Sequence, residues 1–83
     1  MNDQILSIMD KLNVSDYSVD EVEHANAQLE AVSTVLDALG ADYSAELKGS
    51  LIEIVVEPRI SYNKAVLHID VEKRTMDVAV RGY

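Results

Sequence analysis

The stretch Leu36–Glu57, LDALGADYSAELKGSLIEIVVE, decides the fold. Through Leu39 its apolar residues belong to a series that steps by three and four. Beyond Gly40 they fall on every second residue, so that Tyr43, Ala45 and Leu47 alternate with Ser44, Glu46 and Lys48. Side chains return to one face every 3.6 residues on a helix and every two on a strand. The chain therefore changes from helix to sheet at Gly40, a residue that closes a helix well because it takes positive φ without strain.

Upstream of Gly40, the positions Val22, Ala25, Leu29, Val32, Leu36 and Leu39 predict a helix over 19–39, roughly 31 Å long at 1.5 Å per residue. Ser18 and Glu21 form an S-x-x-E capping box, and Tyr17 and Val22 are placed for a hydrophobic staple. Asp20, Glu21 and Glu23 lie in or beside the first turn, where the helix dipole favours negative charge. Ala27, Ala31, Thr34 and Ala38 make a second stripe of small residues, suited to a close neighbour: a first helix, or a second copy of the chain. Ile5, Ile8, Met9 and Leu12 predict that first helix over 3–12, with 13–17 a polar connection.

Downstream, Lys48-Gly49 predicts a two-residue turn that pairs Leu47 with Ser50, Ala45 with Ile52 and Tyr43 with Ile54. Pro58 ends that strand because it has no N–H to donate, and 59–64 reads as a loop or short edge segment. Residues 65–80, AVLHIDVEKRTMDVAV, fold about Lys73–Arg74. Pairing Glu72 with Thr75 brings Val71 to Met76, Ile69 to Val78 and Leu67 to Val80, all on one apolar face. The same register sets Asp70 against Asp77, and like charges facing across strands repel. Strands are expected near 42–48, 50–57, 65–72 and 75–81. The predicted fold is α+β in the order ααββββ: two N-terminal helices on one face of a four-stranded antiparallel sheet. It reads as one domain, with a helical half 1–40 and a sheet half 41–83. The outer face would carry Glu53, Glu57, His68, Asp70, Glu72, Asp77 and Arg81 among Leu51, Val55, Val66 and Ala79.

The 83 residues include no Cys, Phe or Trp. Ile, Leu and Val must fill the core, and disulfides and thiolate metal sites are excluded. No apolar run approaches the ~20 residues of a membrane span, and the N-terminus lacks the pattern of a secretory leader. A cytoplasmic protein without membrane contact is expected. The net charge of −8 is unevenly placed. Residues 1–46 hold ten acids and one base, Lys11, and so carry −9. Residues 47–83 hold five acids and six bases and carry +1. Direct nucleic-acid binding is disfavoured, because phosphates attract a basic footprint.

Motifs of catalysis are sparse. Asp16–Asp20 opens like a calcium loop, but Glu21 stands where that loop needs Gly, and Ala27 stands where it needs a bidentate Glu. His68, Asp70, Glu72 and Asp77 share one hairpin face, yet a hard cation wants six to eight oxygens from several directions. His24 and His68 have no nucleophile and orienting acid arranged around them, and the three glycines are too dispersed to cradle a phosphate. No enzyme, metal or cofactor is expected. The acids Asp16, Asp20, Glu21, Glu23, Glu30 and Asp37 instead suggest a negative helical surface, for which a solvated helix face is the bland reading. The sharper reading is a binding module that occupies a basic, nucleic-acid-binding surface of another protein, as an inhibitor, an immunity or counter-defence protein or a nucleic-acid mimic would. The alternative is a homo-oligomeric structural or adaptor domain, a homodimer for example, built on Leu51, Val55, Val66, His68, Asp70 and Asp77 of the outer sheet face.

Overall fold

A computed structural model describes residues 2–57 and 64–81. The elements are α1 (Asp3–Asn13), α2 (Val19–Ala38), β1 (Asp42–Lys48), β2 (Leu51–Glu57), β3 (Lys64–Asp70) and β4 (Thr75–Arg81). The strands form one antiparallel sheet in the order β1-β2-β3-β4, and both helices pack on one face of it. This is the ααββββ arrangement of the sequence pattern. Pro58 and residues 59–63 of the expected loop lie outside the described residues.

Local chemistry sets each helix end. Asn2 caps α1 by accepting from the Gln4 N–H at 2.7 Å. Ser18 caps α2 by accepting from the Glu21 N–H at 3.2 Å, while its hydroxyl donates to the Glu21 carboxylate at 2.8 Å. Tyr17 and Val22 are both half-buried against the core, as a staple requires. At the other end Gly40 sits at φ +67. Its N–H donates to Asp37 O, and the Ala41 N–H donates to Leu36 O, the paired bonds of a Schellman closure.

Both hairpins differ from the expected register by two residues. In the first, Lys48 pairs with Leu51, Leu47 with Ile52, Ala45 with Ile54 and Tyr43 with Val56. The turn is Gly49-Ser50, not Lys48-Gly49. Gly49 has φ +62 and Ser50 does not share it, the type II′ arrangement whose twist suits a hairpin. In the second, Asp70 pairs with Thr75 and the loop has four residues, 71–74. Asp70 Oδ1 accepts from the Lys73 N–H at 3.0 Å, and Arg74 takes φ +57. An Asp that binds the backbone beyond it makes a turn of its own, which ends β3 at Asp70 instead of residue 72. His68 therefore faces Asp77, and the facing Asp70–Asp77 pair does not form.

The core joins Ile5, Ile8 and Leu12 of α1, Ala25, Leu29 and Leu36 of α2, Ile52, Ile54, Val56 and Ile69 of the sheet, and Val71 beyond it. Ser33 is buried as well, its hydroxyl returned to Glu30 O at 3.1 Å. Two expectations for α2 fail. Leu39 is 74% exposed, because the helix has already closed there. The small-residue stripe Ala27, Ala31, Thr34 and Ala38 is exposed, so α1, the first of its two expected neighbours, does not cover it. α1 meets α2 elsewhere, with Asn26 Nδ2 donating to Asn13 Oδ1 at 3.2 Å.

These placements are tested by unfolding in denaturant. Leu29→Ala should cost ~2–5 kcal/mol as a buried truncation, whereas Leu39→Ala should stay within ~0.5 kcal/mol as a surface change. Gly49→Val should cost ~1–2 kcal/mol through left-handed backbone strain, and Ser18→Ala about 1 kcal/mol through the lost cap. Equal losses in Leu29→Ala and Leu39→Ala would contradict the described helix orientation.

Candidate functional site: an acidic helix face and a charged sheet row

The first candidate surface lies on α2. Asp20, Glu23, Ala27, Glu30, Thr34 and Asp37 follow one another at steps of three and four, and all are exposed. They form one stripe, ~26 Å long at 1.5 Å per residue, with acids at four of its six positions. Asp16 is exposed in the connection just ahead of it. Glu21 stands apart: it is half-buried and engaged with Ser18. Asp37 also has structural work. It accepts from the Tyr43 phenol at 3.0 Å, tying the end of α2 to β1. Burial first, then the bond and charge of Asp37, hold the Tyr43 phenol above its ordinary 10.0. Among the described residues, no Lys or Arg forms an ion pair with Asp16, Asp20, Glu23 or Glu30. Asp20 and Glu23 are neighbours three residues apart, in the first turns where the helix dipole offsets their repulsion; Glu23, Glu30 and Asp37 follow at seven residues, ~10 Å from each other, comparable to the screening length at moderate salt. Their mutual repulsion is therefore small, and their joint field toward a partner persists.

The second surface is the outer sheet face. The three registers place Glu46, Glu53, His68 and Asp77 in one row across all four strands. Glu46 and Glu53 face each other as like charges, and Lys48 from the next row answers both, at 3.9 Å and 3.6 Å. The second oxygen of Glu53 lies 3.2 Å from His68 Nε2. The His68 hydrogen bond, followed by the Lys48 charge, holds the Glu53 carboxyl below its ordinary 4.5. One row further on, Ser44, Val55, Val66 and Ala79 align. Val66 is only 5% exposed there, with Val55 half-buried beside it. Leu51 and Asp70 are half-buried in the row of Lys48. The structure thus brings His68 and Asp77 together and adds Glu53 and Lys48 to them. It sets Asp70 aside as a turn residue.

Sequence reasoning missed the Glu53–His68 contact because no short turn joins β2 to β3. Their register depends on the packing of the inner face, where Ile54 meets Leu67 and Ile52 meets Ile69. Among the described residues, no group of three or more His, Asp or Glu side chains is placed to hold a metal ion. No described helix is long and apolar enough to cross a membrane. Comparison with protein-family models, curated proteins and solved structures finds no match to this chain.

The Glu53 contact carries a pH dependence of definite sign. A carboxyl whose folded pKa is depressed adds stability above its unfolded value, and that stability is lost as pH falls through the folded value. Wild type should therefore be more stable than Glu53→Gln at neutral pH, and the difference should vanish as the pH drops below the ordinary 4.5. Thermal melts of the two proteins across that range check it. A gap that widens in acid would contradict the contact.

Proposed function

We propose that this protein is a small acidic binding module, cytoplasmic in location, which docks the solvent face of α2 on a basic surface of a partner protein. The observation that carries this reading is the α2 stripe: Asp20, Glu23 and Glu30 are exposed, with Asp16 ahead of them, and none is paired with a cation among the described residues. Inhibitors, immunity and counter-defence proteins act by such occupancy, and a surface that otherwise takes nucleic acid would suit a row of carboxylates. The comparison is one of physical character. Charge that exceeds what helix capping uses steers association toward positive partners and raises the on-rate by ~10–10³-fold. The outer sheet face fits this role less well, since the charge of Glu53 is met within the molecule by Lys48 and His68. Action by binding, not catalysis, suits His68, whose Nε2 contact is to Glu53 on an open strand surface.

The test compares two charge-altered proteins against a partner captured from the native host, identified, and eluted by a salt gradient. The helix variant is Asp16→Lys/Glu23→Lys/Glu30→Lys. It spares Asp20 at the helix start, Glu21 in the cap, and Asp37 on Tyr43, so the fold should survive. The sheet variant is Leu51→Lys/Asp77→Lys, which leaves the buried Val66 alone. Association measured at low salt should slow by ~10-fold or more in the helix variant, with the off-rate little changed, and should be unaffected in the sheet variant. The reverse result would move the interface to the sheet face and end the acidic-surface reading.

A further inference from the structure

The two edges of the sheet are finished differently. At β1, side chains of α1 cover the open backbone: Gln4 Oε1 accepts from the Ala45 N–H at 2.6 Å, and Asn2 Nδ2 donates to Tyr43 O at 3.4 Å. At β4 the described residues supply no such cover. The strand, TMDVAVR, has no Pro and no Lys, two devices by which natural edges repel another strand. Its inner face is bare as well. Met76, Val78 and Val80 are 43, 62 and 70% exposed, although they occupy the same face as the core strands. Beside them α2 presents a matching rail, Ala31 and Val35, both exposed. Ala31, Val35 and Met76 line an apolar groove between the two, whose floor includes Val32, Leu36 and Leu67. Such a contiguous apolar surface is uncommon on a soluble chain without a partner.

We propose that a second copy of this chain occupies that surface, with β4 pairing antiparallel to β4 of its partner about a twofold axis at Val78. The register follows from symmetry. Val78 meets its own copy, Met76 meets position 80, and Asp77 meets position 79, an alanine. Every inner-face pair is apolar, and no acid faces its copy. Asp77 and its own copy stand only diagonal to each other across the seam, ~8 Å apart at the backbone, a separation that salt screens. A shift by two in either direction loses one apolar pair; the pairing of Asp77 with its own copy belongs to one of those shifts. The centred register is therefore the one that buries the most apolar pairs and keeps Asp77 from facing its copy directly.

The roof fits too. From β3 to the partner's β3 there are three strand spacings, ~14 Å in all. A helix with its side chains is ~10–12 Å across. The two copies of α2 would stand almost side by side over the seam, with Ala31 and Val35 of each leaning over the paired strands. The acidic stripe lies roughly a third of a turn around α2 from that rail, at 100° per residue, so it stays in water. This dimer surface is separate from the acidic face and does not depend on it. It is also distinct from the outer sheet face, since it uses the edge and the inner face.

The test is the mass of the full chain in solution as a function of concentration, under reducing conditions. A monomer–dimer equilibrium is expected, and added salt should strengthen it, because two chains of −8 repel less when screened. Val78→Lys sets two cations against each other at the twofold and should leave a monomer, with its melt still cooperative because the site is exposed in the single chain. Cross-linking keeps the proposal testable should that variant fold poorly. The native chain has no cysteine, so Val78→Cys should yield a disulfide-linked dimer on mild oxidation. Ala79→Cys should not, since its own copy lies ~8 Å away in this register, beyond disulfide reach. A chain monomeric at every concentration overturns the proposal, as does a dimer that persists in Val78→Lys or cross-linking at 79 in place of 78.

Discussion

Four strands must be covered on one face by two helices, in a chain with no Phe or Trp, and the rest of the structure depends on how that covering is shared out. The buried layer is aliphatic: Ile52, Ile54 and Ile69 below, Ile5, Leu12 and Leu29 above, all fully enclosed. Branched side chains pack densely but reach only a short way. α1 sits over β1, and α2 reaches β3. Nothing among the described residues extends the roof to β4, so the apolar alternation that continues through Met76, Val78 and Val80 ends in solvent. The hydrophobic pattern of the chain is that of a wider core than one copy encloses.

α2 divides its circumference accordingly. One side, Ala25, Leu29 and Leu36, is core; a second, Ala31 and Val35, borders the bare strand; a third carries the acids. Helices with one apolar stripe are the common case. A helix with an apolar second border has a further contact to make, or sits at an exposed margin. The outer sheet face is the opposite case. There Lys48 sits between Glu46 and Glu53, His68 lies against Glu53, and Val66 is buried in an apolar row. Two of the three acids in the charged row are thus engaged within the molecule, whereas Asp20, Glu23 and Glu30 of α2 meet no cation among the described residues. The exposed ion pairs of the sheet face add little stability by themselves.

Element order and fold class were legible in the sequence because they rest on period and punctuation: the step from three-and-four to two at Gly40, the cap at Ser18, the turn at Gly49. The registers were not, and the reason is specific. A strand shifted by one residue inverts its faces, so the alternation forbids it. A strand shifted by two keeps every apolar residue on the same side. Ala45 opposite Ile52 and Ala45 opposite Ile54 look equally good to a pattern. Turn chemistry decides between them: positive φ at the first turn position placed Gly49 there, and the carboxylate of Asp70 caught the Lys73 N–H and opened a four-residue loop. The facing pair of aspartates vanished with that choice. Leu39 misled for a different reason. Its spacing is correct for the stripe, but α2 ends at Ala38 and closes through Gly40, which leaves Leu39 exposed. Of the acidic surface, the exposure of Asp20, Glu23 and Glu30 was legible from the helix phase, whereas the bond from Tyr43 to Asp37 depended on how α2 turns back into β1.

The acidic face and the bare edge bear on each other through solubility. An exposed strand with apolar residues on its inner face invites indiscriminate pairing, and a net charge of −8 opposes it by keeping copies apart. Were charge the whole remedy, the acids would be most useful near β4. They lie instead on α2 and its approach, a third of a turn from the apolar rail, while the sheet half carries +1. Repulsion is thus weakest where two copies would meet and strongest where they would not. A twofold seam at β4 converts that arrangement into geometry. Pairing about an axis normal to the sheet leaves both copies of α2 on the same side of one eight-stranded sheet, running in opposite directions. Their acidic stripes would then face the same way and present two equivalent negative rows to one partner. Two linked rows gain by effective concentration what neither has alone, provided the partner's basic surface spans both. Closing the edge and displaying the acids are in that arrangement one consequence of leaving β4 uncovered.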